Sequence, residues 1–156
     1  MTPFSEPPAP ELSVWIVEDD VGYRDTVVEV LDTTPGFACT GAFYDYEEVE
    51  ALLAGPPSWA TPEVVLLDVN LPGRSGIQGL AHLKAHVPEA HVVMLTVNDS
   101  ADLIFDAFRS GACGYLLKDT SVAEILQGIR DAHHGGMPMP PAVAAKVLAF
   151  FAGAGP

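Results

Sequence analysis

"VVLLDVNLPG" spans residues 64–73, and its reading decides the fold. Four apolar residues run unbroken into one carboxylate, Asp68. Stripping a carboxylate of water costs several kcal/mol, so an unpaired one is rarely buried. An Asp at the end of such a run is either a turn residue or a functional group held at a strand tip.

Working outward, strand and helix patterns alternate five times. Strands are predicted at 12–17, 37–43, 63–69, 91–97 and 113–118. Helical spacing of apolar residues predicts helices at 22–34, 45–55, 77–87, 100–111 and 121–135. Ser100 is a candidate N-cap, and Ser121 with Glu124 has capping-box spacing. "LSVWIV", "VVLL" and "HVVML" are nearly continuous apolar runs. Strands covered on both faces look like that, as in parallel sheets. Right-handed crossovers then place helices on both faces of one doubly wound α/β sheet. The proline-rich residues 1–11 read as a disordered leader, 12–135 as the domain, and 136–156 as a linker with a short helix at 141–151.

Composition narrows the function classes. Seven basic against 21 acidic residues give a formal net charge of −14. That opposes nucleic-acid binding by this chain alone and leaves room for a divalent cation. Cys39 and Cys113 sit among apolar or small residues and read as buried free thiols of a cytosolic protein. No signal-peptide pattern opens the chain, and no apolar run approaches the ~20 residues of a membrane span. A cytoplasmic location with no membrane partner is expected.

Ligands of such sheets bind at the carboxyl ends of the strands, where strand order reverses. Glu18, Asp19 and Asp20 follow the first strand; Asp68 and Asn70 the third; Thr96, Asn98 and Asp99 the fourth; Lys118 the fifth. The second offers only Tyr44 and Asp45. Clustered carboxylates repel by ~1–4 kcal/mol per close pair. A hard cation relieves this, and magnesium suits a site of few carboxylates plus waters and phosphate oxygens. Asp68 is then a nucleophile towards phosphorus, Lys118 neutralises phosphoryl oxygens, and Thr96 hydrogen-bonds one of them. Taken singly, these residues are a turn former, a strand threonine and a surface lysine. Their ordered arrival at the strand ends of one periodic pattern supports the functional reading.

Residues 12–134 closely resemble the receiver domain of bacterial two-component response regulators. "VWIVEDDVGYR" resembles the first strand and acidic pair, with Arg24 five residues beyond Asp19. "LLDVNLPGRSGI" resembles the phospho-acceptor segment, "MLTV" the switch hydroxyl, and "GYLLKD" the lysine with an aromatic three residues before it. "GYLLKD" followed by "GGMPMPPAVAAKVLAFF" is especially similar to the NarL/LuxR-type subfamily. The resemblance implies a flavodoxin-like strand order 2-1-3-4-5. It implies that Asp68 accepts a phosphoryl group from a sensor histidine kinase. Asp19, Asp68 and the backbone carbonyl of Asn70 would bind Mg2+, with Glu18 helping directly or through water. Thr96 and Tyr115 would form the switch pair, Lys118 would contact phosphate, and Asp20 is an extra acid. Val97 stands where the family often has Ala, Ser or Gly, and a branched side chain there would crowd the phosphate entrance.

In that subfamily a receiver is joined to a helix-turn-helix domain that binds DNA. No such domain follows here, so the chain is either receiver-only or, the favoured expectation, a piece of a longer transcription regulator. Phosphate on Asp68 would draw Thr96 inward and vacate space for Tyr115. A surface with Leu103, Phe105, Ala107, Phe108 and Ile125, with or without helix 141–151, would then form a homodimer contact or dock an output domain. Phosphatases of the haloacid-dehalogenase type need a second acid where Asn70 stands. A flavin module needs a Ser/Thr/Gly-rich loop where "VEDDVGYR" lies. A degenerate receiver that acts by protein contact alone is a further alternative.

Overall fold

The computed structural model describes residues 11–153. The expected leader therefore lies, apart from Glu11, outside the described residues. Five strands alternate with five helices, and a sixth helix follows. They are β1 Leu12–Val17, α1 Val21–Thr33, β2 Phe37–Phe43, α2 Tyr46–Ala54, β3 Val64–Leu67, α3 Gly76–His86, β4 His91–Thr96, α4 Ala101–Arg109, β5 Gly114–Leu117, α5 Val122–His133 and α6 Pro141–Gly153. All four strand pairings are parallel, in the order β2-β1-β3-β4-β5. The expected doubly wound sheet is what forms.

Side-chain alternation divides the core into two layers. Trp15, Val65, Leu67 and Met94 pack with Tyr46, Leu80 and Ile104 on the face covered by α2, α3 and α4. Val14, Ile16, Leu66 and Val93 pack with Val27, Leu31, Ile125 and Ile129 on the face covered by α1 and α5. β3 has no exposed surface at any residue, so its continuous apolar run is a consequence of double coverage.

The carboxyl edge is fixed by short, capped connections. Asp20, Asp45, Ser75, Ser100 and Ser121 each accept a backbone N–H in the first turn of the helix they begin. Such caps satisfy donors that the helix itself leaves unpaired. Asp20, the extra acid of the sequence, is thus the cap of α1. Asp45 caps α2, so β2 contributes no free carboxylate beside its neighbours. The reciprocal capping box expected at Ser121 and Glu124 is found instead at Ser75 and Gln78.

Several expectations are corrected. Strands β3, β4 and β5 end at Leu67, Thr96 and Leu117, short of the expected Val69, Val97 and Lys118, although the N–H groups of Asp68 and Lys118 still donate to the neighbouring strands. Cys39 and Cys113 are free but only half-buried, since β2 is an edge strand and Cys113 precedes β5. Ala107 and Ile125 are core residues, 0% and 4% exposed, because each lies on the sheet-facing side of its helix. They cannot contribute to an external contact surface.

Candidate functional site

The sheet register builds the site. Val17 of β1 pairs with Leu67 of β3, so the next residues, Glu18 and Asp68, emerge side by side. Asp68 N–H still donates to the Val17 carbonyl at 3.2 Å, which holds the two tips together. This is the point where chain order reverses, because β1 leads out to β2 on one side and β3 to β4 on the other. Thr96 pairs with Leu117, and Lys118 N–H donates to the Thr96 carbonyl at 3.0 Å.

Four side chains meet there. Glu18, Asp19 and Asp68 each offer an oxygen, all within 4.8 Å of one another. Lys118 Nζ donates to Asp68 Oδ2 at 2.8 Å and also touches Glu18. Its ammonium lies 5.1 Å from the ring centroid of Tyr23. Glu18 and Asp68 are 2% and 3% exposed, whereas Asp19 is half-buried. Asp68 Oδ1 accepts from Asn70 N–H at 3.0 Å, which orients the carboxylate.

One ammonium among three carboxylates leaves the cluster short of positive charge. Burial, reinforced by Asp68, pushes Glu18 up to about 8. Burial alone would lower Lys118; its hydrogen bonds to Asp68 and Glu18 outweigh that and raise it. Both Glu18 carboxylate oxygens are buried; Lys118 contacts Oε1, and Oε2 has no hydrogen-bond partner. A buried, unpartnered oxygen beside two further carboxylates belongs to a donor set suited to a hard divalent cation.

Thr96 and Tyr115 form a second cluster next to the first. Both have no exposed surface. Thr96 Oγ1 accepts from Asn98 N–H at 3.3 Å, and the Tyr115 hydroxyl donates to the Asn98 carbonyl. Burial, then the charges of Asp99 and Asp68, pushes the Tyr115 hydroxyl up to about 12, so it remains a donor. The expected inward rotation of Tyr115 is therefore already made here, because the Asn98 carbonyl satisfies its hydroxyl inside. Val97 is 73% exposed and lines a cleft of about 250 Å³ with Lys118, Leu117, Asp99 and Asp119.

The loop after β3 approaches the site through Gly76. A Cβ there would lie 1.9 Å from the Asp68 carbonyl oxygen, so only glycine lets α3 begin against the strand tip. Gly73, at φ +73°, turns the loop so that Arg74 reaches α2. Arg74 N–H donates to Glu47 Oε1 at 2.7 Å, and its guanidinium pairs with Glu50.

Tyr23 and Arg74 are not among the edge residues the sequence points to; Asn98 is, but not for the part it plays. Asn98 acts through its backbone, which no residue type announces. Tyr23 and Arg74 gain their places from the packing of α1 and α2.

The model of the response regulator receiver domain matches residues 14–130. The chain belongs to this family. It is 30% identical over 138 residues to the uncharacterized transcriptional regulatory protein YxjL of Bacillus subtilis, covering 88% of this chain and 62% of that one. It is 29% identical over 143 residues to the DNA-binding transcriptional activator DevR/DosR of Mycobacterium tuberculosis, covering 92% and 64%. The chain thus spans less than two thirds of these relatives. The receiver domain of the putative response regulator NarL from Mycobacterium tuberculosis superposes with a TM-score of 0.70 at 27% identity, over 81% of this chain and 99% of that one. A LuxR-family regulator from Aurantimonas sp. SI85-9A1 gives 0.80 at 24% identity, over 91% and 99%, which supports the fold. Receiver membership makes this a signalling module, and its structural neighbours include regulators of the LuxR and NarL type. Among the described residues, no helix is long and apolar enough to cross a membrane.

Proposed function

We propose that the chain is a phosphorylation-controlled receiver in which Asp68 takes a phosphoryl group from a phosphohistidine of a sensor histidine kinase. The observation that carries this reading is Asp68 at a strand tip, 3% exposed, with Lys118 Nζ at 2.8 Å and two further carboxylates beside it. A carboxylate oxygen of Asp68 forms the new O–P bond as the N–P bond to histidine breaks, and the imidazole departs with that electron pair. Asn70 N–H and Lys118 hold the Asp68 carboxylate in one orientation for this attack. Lys118 stands ready to neutralise charge on the transferring group.

Glu18, Asp19, Asp68 and the backbone carbonyl of Asn70 would hold Mg2+. When bound, the ion supplies positive charge that offsets the carboxylates and the phosphoryl oxygens. Lys118 is charged and close, but it serves only one side of the cluster. The Thr96 hydroxyl turns to donate to a phosphoryl oxygen, and Tyr115 holds the loop between them.

The output belongs to the same reading. Similarity to transcriptional regulators supports control of transcription through a DNA-binding domain outside this sequence, with the receiver acting as a homodimer in the cytoplasm. Residues 12–135 form the receiver, and the segment from 136, expected as a linker, packs back on it through α6. Incubation with a small phosphodonor and Mg2+, followed by intact mass, tests the core of the proposal. One added phosphoryl group in the parent and none in Asp68→Asn is expected. An unlabelled parent points to a receiver that works without phosphorylation.

A further inference from the structure

The segment after α5 is built onto the switch residues. Tyr115 N–H donates to the Pro138 carbonyl at 2.9 Å, so the chain around Pro138 runs along the outer edge of β5. A Cβ at Gly114 would come within 2.7 Å of the Pro138 ring, and glycine there permits the close approach. Helix α6 then lies across α4. Val143 has no exposed surface, and the rings of Phe150 and Phe105 are 3.9 Å apart by centroid.

One polar bridge reaches beyond this apolar contact. Lys146 Nζ donates to the Asp99 carbonyl at 2.7 Å and lies 3.1 Å from the Asp99 carboxylate. Asp99 follows Asn98, whose carbonyl takes the Tyr115 hydroxyl and whose N–H donates to Thr96. The loop between β4 and α4 is therefore tied from three directions: by Thr96, by Tyr115 and by α6.

We infer that α6 is a latch that closes on the Tyr115-inward arrangement of the 97–100 loop, through the bond from Lys146 to Asp99. Tyr115 and Lys146 hold adjacent carbonyls, those of Asn98 and Asp99. The orientation of one peptide unit constrains the next, so a loop released by Tyr115 no longer presents Asp99 to Lys146. Whatever stabilises inward Tyr115 stabilises docked α6, and the coupling is reciprocal. The trigger rests on the proposed function. A phosphoryl group on Asp68 recruits the Thr96 hydroxyl, anchors the loop and tightens the latch. The α4 face is thereby occupied by the chain's own C-terminal helix, with Leu148 and Phe151 on the outside at 70% and 67% exposure.

Hydrogen exchange of residues 141–153 in the full 156-residue chain reads the latch directly. Lys146→Ala is expected to reduce protection of α6 by about three- to tenfold, the scale of a charged hydrogen bond near the surface. Tyr115→Phe, which removes only the hydroxyl bond to the Asn98 carbonyl, is expected to reduce it as well. Beryllofluoride with Mg2+, a mimic of an aspartyl phosphate, should raise protection in the parent. By reciprocity Lys146→Ala should then bind the mimic more weakly, by at most the factor by which the mimic raises protection, although Lys146 is outside the acidic cluster. The inference is overturned if α6 loosens in Lys146→Ala alone while Tyr115→Phe leaves it unchanged. It is equally overturned if bound mimic leaves the protection of α6 in the parent unchanged. If the parent does not bind the mimic at all, the phosphorylation reading fails, and the Tyr115→Phe comparison still decides the latch.

Discussion

Lys118 and Asp68, fifty residues apart in sequence, share a hydrogen bond of 2.8 Å at the carboxyl edge of the sheet. The same ammonium touches Glu18. A cation bound to these carboxylates competes with that contact, so Lys118 plays two opposed parts.

Replacing Lys118 with Met separates them. The variant should bind Mg2+ more tightly, because three carboxylates lose their built-in counter-charge. It should accept phosphoryl groups much more slowly, because charge on the transferring group loses a partner. Without metal it should also be less stable by about 3 kcal/mol, the cost of leaving a buried ion without its mate. Calorimetric titration, phosphodonor kinetics and urea unfolding measure the three effects. Weakened Mg2+ binding would contradict the assignment of opposing roles.

Glu18 makes metal-free stability depend on pH. Burial and Asp68 raise it from 4.5 to about 8 in the folded chain. Between those values the folded state holds a proton that the unfolded state has released. Stability is therefore greatest below the lower value and falls as pH rises through the window. Mg2+ affinity should rise over the same window, by at most about tenfold per pH unit for one displaced proton. Glu18→Gln should flatten both trends. Unfolding midpoints in chelator and Mg2+ titrations at several pH values provide the check.

Much of this was legible in the sequence, for a physical reason. Doubly covered strands need continuous apolar runs, and polar groups cannot stay in those runs, so Asp68 and Lys118 mark strand ends. The limits of that reading are equally physical. Asn98 contributes a carbonyl, and Lys146 matters because α6 folds back on α4. Neither role follows from residue type. In the sequence Ala107 and Ile125 look like surface because α4 and α5 carry apolar residues on more than one side. Only the packed helix shows that Ile104 and Ala107 face the sheet while Phe105 meets Phe150.

Gly76 should tolerate no side chain. A methyl group 1.9 Å from the Asp68 carbonyl must move backbone, not a flexible side chain. Gly76→Ala is expected to cost at least about 1–3 kcal/mol and to weaken Mg2+ binding by shifting the Asp68 tip. Urea unfolding with and without Mg2+ tests both. Full stability would show that the start of α3 is looser than described.

Val97 borders the cleft beside Lys118 and is 73% exposed. Trimming it should open the approach to Asp68 without touching the core. Val97→Ala is expected to speed labelling by a small phosphodonor severalfold and to leave unfolding midpoints unchanged. Equal rates in parent and variant would remove Val97 as a barrier.

The most direct test of the central claim locates the phosphoryl group on the chain. Protein treated with phosphodonor and Mg2+ is reduced with borohydride, which converts an acyl phosphate of aspartate to homoserine, and is then digested and sequenced by mass spectrometry. Homoserine at position 68, and at no other acidic residue, is the predicted result. Homoserine at Asp19 or another aspartate, hydroxynorvaline at Glu18 or another glutamate, or neither after confirmed exposure to the donor, would contradict Asp68 as the acceptor.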